Sequence, residues 1–164
     1  MLVDDIAFVD TDAVLRPTTA ALEPTTKSLR KLETVAGAYF KKQISTQTEL
    51  AVGSAVVTDA GDLTADMVIH AVVSSVDEPV TEGSVRQALN SALQRAGDWQ
   101  IARIATPPIG TGAGNLLIED AARIMIDVLN QATPTSVYPR EVCIVVDNEE
   151  DKALFDFCLR SPTQ

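Results

Sequence analysis

Hydrophobic positions recur along this chain in two alternating rhythms. From Thr26 to about Thr46, Leu29, Leu32, Val35, Ala36, Tyr39 and Phe40 fall at helical spacing, with Gly37 weakening the helix near its middle. Val85, Ala88, Leu89, Ala92, Leu93 and Ala96 mark a second amphipathic helix, with Thr81 or Ser84 as its N-cap and Gly97 as its stop. A third runs from Leu117 to Gln131. A fourth runs from Asn148 to Leu159, with Leu154, Phe155 and Cys158 facing inward. Between them lie short, mostly apolar runs that read as strands: Ala13-Val14-Leu15, Gly53 to Thr58, Met67 to Ser74, Gln100 to Ala105 and Glu141 to Val146. Met67 to Ser74 is almost continuously apolar, as expected for a strand covered on both faces. Pro17 to Thr26, rich in Thr, Ala and Pro, reads as a loop. Alternating strands and helices predict an α/β fold over residues 1–164 as a single domain. A largely parallel central sheet covered by helices is expected.

Composition sharpens this picture. Only 4% of the 164 residues are aromatic, so Val, Ala, Leu and Ile must fill the core. A formal net charge of −10 repels a phosphate backbone and argues against nucleic-acid binding. Two cysteines and one histidine give neither a disulfide framework nor a multi-His metal site, and no cofactor is implied. Cys143 reads as a small buried hydrophobe. No apolar run reaches membrane-spanning length and no signal segment opens the chain, so the expectation is a cytoplasmic protein without membrane contact.

The candidate chemistry centres on Pro108-Ile109-Gly110-Thr111-Gly112-Ala113-Gly114-Asn115, between a strand and a helix. Glycines there permit left-handed backbone angles and a close approach to a ligand. Successive N–H groups, with the positive end of the following helix, suit a phosphate. Asparagine at 115 tolerates left-handed angles as well. His70, inside an apolar strand, reads as a structural, hydrogen-bonded residue. Asp59, Asp62 and Asp66 read as a solvated turn, and Glu119 and Asp120 as outward-facing complements to the helix dipole.

Four ordered motifs resemble the macrodomains, a family that binds ADP-ribose and related metabolites, and the resemblance implies a three-layer α/β/α sandwich around a mixed, largely parallel sheet. They are Gly53 to Leu63, Val68-Ile69-His70-Ala71-Val72, the helix from Val85 to Ala96, and Pro108 to Gly114. The resemblance implies that the 108–115 loop contacts the diphosphate and distal ribose. It also implies that Asp5, within Asp4-Asp5-Ile6, accepts a hydrogen bond from the adenine amino group, with Ile6 beside it.

The N-terminal half departs from the family. Asp12-Ala13-Val14-Leu15 continues as Arg16-Pro17-Thr18-Thr19 where the family has Asn-Ala-Ala-Asn. Lys27 to Ala38 carries one glycine where the first glycine-rich loop has three or four. Arg16, Arg30 and Lys31 are candidate substitutes for charge at the phosphates. Three function classes stay open. The first is a module binding ADP-ribose or a related nucleotide diphosphate. The second is a hydrolase acting on ADP-ribosyl bonds, ADP-ribose 1″-phosphate or O-acetyl-ADP-ribose, which the loss of the asparagine disfavours. The third is a descendant of the fold that works through protein partners or as a homo-oligomer.

Overall fold

A computed structural model describes residues 2–112, 115–132 and 137–161. Six strands form one sheet: β1 (Leu2–Val3), β2 (Ala13–Thr19), β3 (Ala55–Asp59), β4 (Met67–Ser74), β5 (Arg103–Thr106) and β6 (Glu141–Val146). Their spatial order is β1-β6-β5-β2-β4-β3. Every pairing is parallel except β3 with β4, so the expected mixed, largely parallel sheet is present. A single 3₁₀ turn (Ile6–Phe8), α1 (Lys27–Ala36) and α2 (Ala38–Ser45) cover one face. α3 (Glu82–Asp98), α4 (Ile118–Ala132) and α5 (Glu149–Arg160) cover the other.

Alternation along the strands distributes the core between these layers. Ala13 and Leu15 of β2 pack with α3 and α4, whereas Val14 packs with Leu32 of α1 and Phe40 of α2. The helix boundaries follow local chemistry. Thr81 caps α3: its hydroxyl accepts from the Ser84 N–H at 3.0 Å, and the Ser84 hydroxyl oxygen accepts from the Thr81 N–H at 2.9 Å. Thr26 caps α1 and Asn148 caps α5 through the side-chain oxygen alone, accepting from the Leu29 and Asp151 N–H groups. Gly37 divides the long predicted helix into α1 and α2, at φ 92° and ψ −176°, an extended left-handed geometry that only glycine adopts easily.

Two expectations need correction. The segment from Pro17 is not yet loop: β2 continues through Thr19, paired with β4 as far as Ser74. β2 pairs with β5 only at Ala13 and Val14, so Pro17 lies where that side of the ladder has ended and its missing N–H is tolerated. Cys143 is half-buried rather than buried, at the margin of the α1 and α2 core. Among the described residues no helix is long and apolar enough to cross a membrane.

Candidate functional site

The parallel strands β1, β6, β5 and β2 end at one edge, and the candidate residues gather there. Open α/β sheets bind ligands outside this carboxyl edge. β5 leads into it through Thr106, Pro107 and Ile109, all buried. The Ile109 N–H donates to Met125 Sδ at 3.3 Å, anchoring the loop to α4. Gly110 and Gly112 then take φ 88° and 125°. A Cβ on Gly110 would lie 2.5 Å from Val85 Cγ2, and one on Gly112 would lie 2.8 Å from the Thr25 carbonyl oxygen. The loop closes on itself: Leu116 N–H donates to the Gly110 carbonyl at 3.0 Å, and Asn115 N–H to the Gly112 carbonyl at 3.1 Å. Pro108 and Thr111 are half-buried, while Gly112 and Asn115 are exposed. Ala113 and Gly114 lie outside the described residues.

The contact between Gly112 and Thr25 joins two loops over the strand ends: the glycine loop after β5 and the connection from β2 to α1. That connection is tightly folded. Thr19 receives the Glu23 N–H on its side-chain oxygen at 3.2 Å, and its own N–H donates to the Glu23 carbonyl at the same distance. Leu22 is buried at φ 62°, a left-handed conformation unusual for a bulky residue.

Arg16 holds it there. This side chain is fully buried, and its Nη2 donates to the Leu22 carbonyl at 2.8 Å while lying 3.3 Å from Glu33 Oε1. Its Nη1 lies 3.2 Å from His70 Nδ1, directly across the β2–β4 pairing. A guanidinium has no acceptor, so Nδ1 accepts and the histidine proton resides on Nε2. Nε2–H therefore donates to Thr58 Oγ1 at 2.8 Å. Phe40 stacks on the imidazole at a centroid distance of 5.7 Å. Arg16 is thus committed to Leu22, Glu33 and His70 and supplies no charge to a phosphate. Burial draws the Arg16 guanidinium down to about 10, with Glu33 opposing the shift.

Burial, reinforced by the Arg16 charge, pushes His70 down to about 3. A histidine depressed on folding contributes stability that is complete above its unfolded pKa near 6.5 and is lost as pH falls towards 3. Unfolding free energy should therefore decline with a slope approaching about 1.4 kcal/mol per pH unit near pH 5 from this group alone. Urea titrations from pH 7 to 5 on the native protein and on His70→Gln check this. An identical slope in both would assign the dependence to other groups.

Asp5 occupies the same edge, two strand positions from β5. The backbone of Asp4 extends β1 by donating to the Val146 carbonyl at 3.2 Å, which fixes the following turn. Asp5 Oδ1 accepts the Ala7 N–H at 3.0 Å and caps the 3₁₀ turn, while Oδ2 is paired with Lys31 Nζ. Burial works to raise this carboxyl, but the Lys31 ammonium and the Ala7 N–H together hold it below the usual aspartate value. Lys31 also lies 5.4 Å from the centroid of Phe8, an exposed ring. Ile6 is buried in the core beneath. Across the edge, Ser28 at the start of α1 donates to the Asp147 carboxylate after β6. Arg30 is exposed on α1.

Leu22, Thr25 and Phe8 also stand at this edge. Nothing in a leucine or threonine signals a loop wall, whereas Phe8, an aromatic three residues after Asp5, was open to notice. Asp59 uses its carboxylate to cap its own turn, accepting from Gly61 N–H at 2.7 Å. Glu119 is exposed, and Asp120 lies 3.9 Å from Arg123.

Comparison with known proteins agrees with this architecture. An uncharacterized protein of Aquifex aeolicus is 30% identical over 149 residues, covering 89% of this chain and 87% of its own length. An O-acetyl-ADP-ribose deacetylase of Enterobacter is 28% identical over 166 residues, covering 94% and 89%. The chain spans 37% of the length of the mycobacterial relatives that it matches at 25% identity. Among solved structures, the Oceanobacillus iheyensis macrodomain G37V mutant with ADPR superimposes with a TM-score of 0.87 at 20% identity, covering 97% of this chain and 90% of that one. The sequence pattern of the Macro domain matches residues 29–125. With the three-layer sandwich and its glycine loop at the carboxyl edge, the chain belongs to the Macro domain family.

Proposed function

We propose that the protein binds ADP-ribose or a related nucleotide diphosphate across the carboxyl edge of β1, β6, β5 and β2. One observation carries the reading: Gly110 and Gly112 hold positive φ in a loop that faces Thr25 across the strand ends, where any side chain at 112 would collide. In this reading the backbone from Pro108 to Gly112, with Asn115, cradles the diphosphate at the entrance to α4. Asp5 receives the adenine amino group and Ile6 supports it from the core. Lys31 must then share Asp5 Oδ2 with the base, and its exposure allows that movement.

Binding rather than turnover is favoured because Thr19 stands where hydrolytic members of the family carry asparagine, and its hydroxyl oxygen accepts the Glu23 N–H of its own turn. Calorimetry with ADP-ribose, ADP, AMP and NAD tests the proposal, and micromolar affinity with preference for ADP-ribose is expected. No heat and no thermal shift at millimolar ligand would reject it. Release of ribose-containing product from ADP-ribosylated protein or O-acetyl-ADP-ribose would favour the hydrolase instead. Asp5→Ala should weaken ADP-ribose roughly tenfold, the loss of a charge-assisted hydrogen bond. Ribose 5-phosphate should be scarcely affected, and equal losses for both would remove Asp5 from the adenine site.

A further inference from the structure

Charge is unevenly spread over this protein. Residues 27–42, which make up α1 and much of α2, carry five cations against Glu33 alone, a net +4 in a chain of −10, so the rest carries −14. Lys27, Arg30, Lys31, Lys41 and Lys42 are all exposed. They stand opposite the buried Leu29, Leu32, Ala36, Phe40 and Ile44, which fix the two helices to the sheet. The outer surface of this layer is thus a basic face on an acidic molecule.

These cations are also uncommitted. Among the described residues, six of the eight cations outside this stretch lie within 4.0 Å of a carboxylate. Within it only Lys31 does, through Asp5. Glu33 turns inward to Arg16, and Asp62, beside the Gly37 junction, forms no ion pair with the other four. Lys27 lies one helical turn from both Arg30 and Lys31, where like charges destabilise a helix. Two exposed aromatics flank the face: Phe8 against Lys31 Nζ, and Tyr39 three residues before Lys42. Tyrosine, phenylalanine and arginine are enriched where proteins meet.

From this pattern we infer that the outer face of α1 and α2 docks an acidic peptide segment of a partner protein. Charge complementarity selects the sign. Extent selects the class: helices of 10 and 8 residues give a face no more than about 27 Å long, which about eight extended residues cover. A nucleic-acid strand would run past that length into the surface that carries the −14 and be repelled. A second copy would bring its own −10 towards the first. The face borders the nucleotide edge at Lys31, but docking there requires no nucleotide.

Fluorescence anisotropy of the whole protein with a fluorescein-labelled peptide of eight glutamates tests this. Micromolar binding is expected at about 50 mM salt, weakened roughly tenfold at about 200 mM. Changing Lys27→Glu, Arg30→Glu, Lys41→Glu and Lys42→Glu together should weaken it at least tenfold more. None of the four side chains has an ion-pair partner to lose, and glutamate suits a helix about as well as lysine or arginine, so the fold is retained. Glutamine at the same four positions gives a second, milder variant with the same expected direction. Arg160→Glu, which reverses an exposed cation outside the face, should leave affinity within about twofold. No binding of the peptide, or an equal loss in Arg160→Glu and the fourfold variants, overturns the inference. Tighter binding of a labelled thymidine octanucleotide assigns the face to nucleic acid and overturns it too. So does a dimer in sedimentation that the fourfold variant abolishes, which assigns the face to a second copy.

Discussion

Replacing Arg16 with methionine is expected to lower the unfolding free energy by about 3–5 kcal/mol, the cost of breaking a buried ion pair from one side. The substitution keeps much of the side-chain volume, so a cavity contributes little. What it removes are the donors to the Leu22 carbonyl and His70 Nδ1 and the cation facing Glu33. Glu33 retains 19% exposure, so water partly resolvates its carboxylate and the loss should fall towards the lower end. For a chain of this size the melting temperature should drop by roughly 10 °C. Replacing Arg16, Glu33 and His70 together with apolar residues of similar size should recover most of the loss, because no charge is then stranded. Urea denaturation of the single and triple variants checks both statements. A single variant within 1 kcal/mol of the native protein would show that the buried cluster contributes little.

Gly112→Val should abolish nucleotide binding while the protein stays folded. At φ 125° a branched side chain is strained by about 1–3 kcal/mol, and its Cβ would sit 2.8 Å from a backbone oxygen, which cannot rotate aside. The loop must shift away from Thr25, and a cradle of N–H groups tolerates little misplacement. A loss of at least 100-fold, about 2.7 kcal/mol, is expected by calorimetry. Gly112 is exposed and at the tip of its loop, so the melting temperature should move by only a few degrees. Unchanged affinity would take the glycine loop out of the site.

The sandwich was legible because its signals are local. Short continuous apolar runs located β4 and β6, period-3.6 spacing placed α3, α4 and α5 within a few residues of their ends, and Gly37 marked the break between α1 and α2. Pro17 misled because a proline announces a loop unless one knows that β5 has already left the side of β2, which is a fact about pairing and not about the residue. Arg16 was visible as a charge at the end of an apolar run, but its partners come from α1, from the Leu22 backbone and from β4, and no spacing rule connects them. The glycine loop could be located, since glycine is chosen for angles that other residues avoid. The opposite wall could not, because Leu22 adopts such an angle without any compositional trace, held by contacts from elsewhere.

The pairing of β1 with β6 bears on how the molecule is made. Leu2 lies opposite Val145, and 145 − 2 leaves 143 residues to be synthesised before the first strand meets its neighbour. At ribosomal rates of about 5–20 residues per second, Leu2 and Val3 wait roughly 7–30 s. During that interval β2, β3 and β4 can already assemble behind them. The backbone from Leu2 to Asp4 is therefore among the last parts of the nascent chain to be fixed, and a ribosome stalled before β6 would display a largely formed sheet whose β1 edge is still unmade, with the Asp5 turn held only by its contacts to α1.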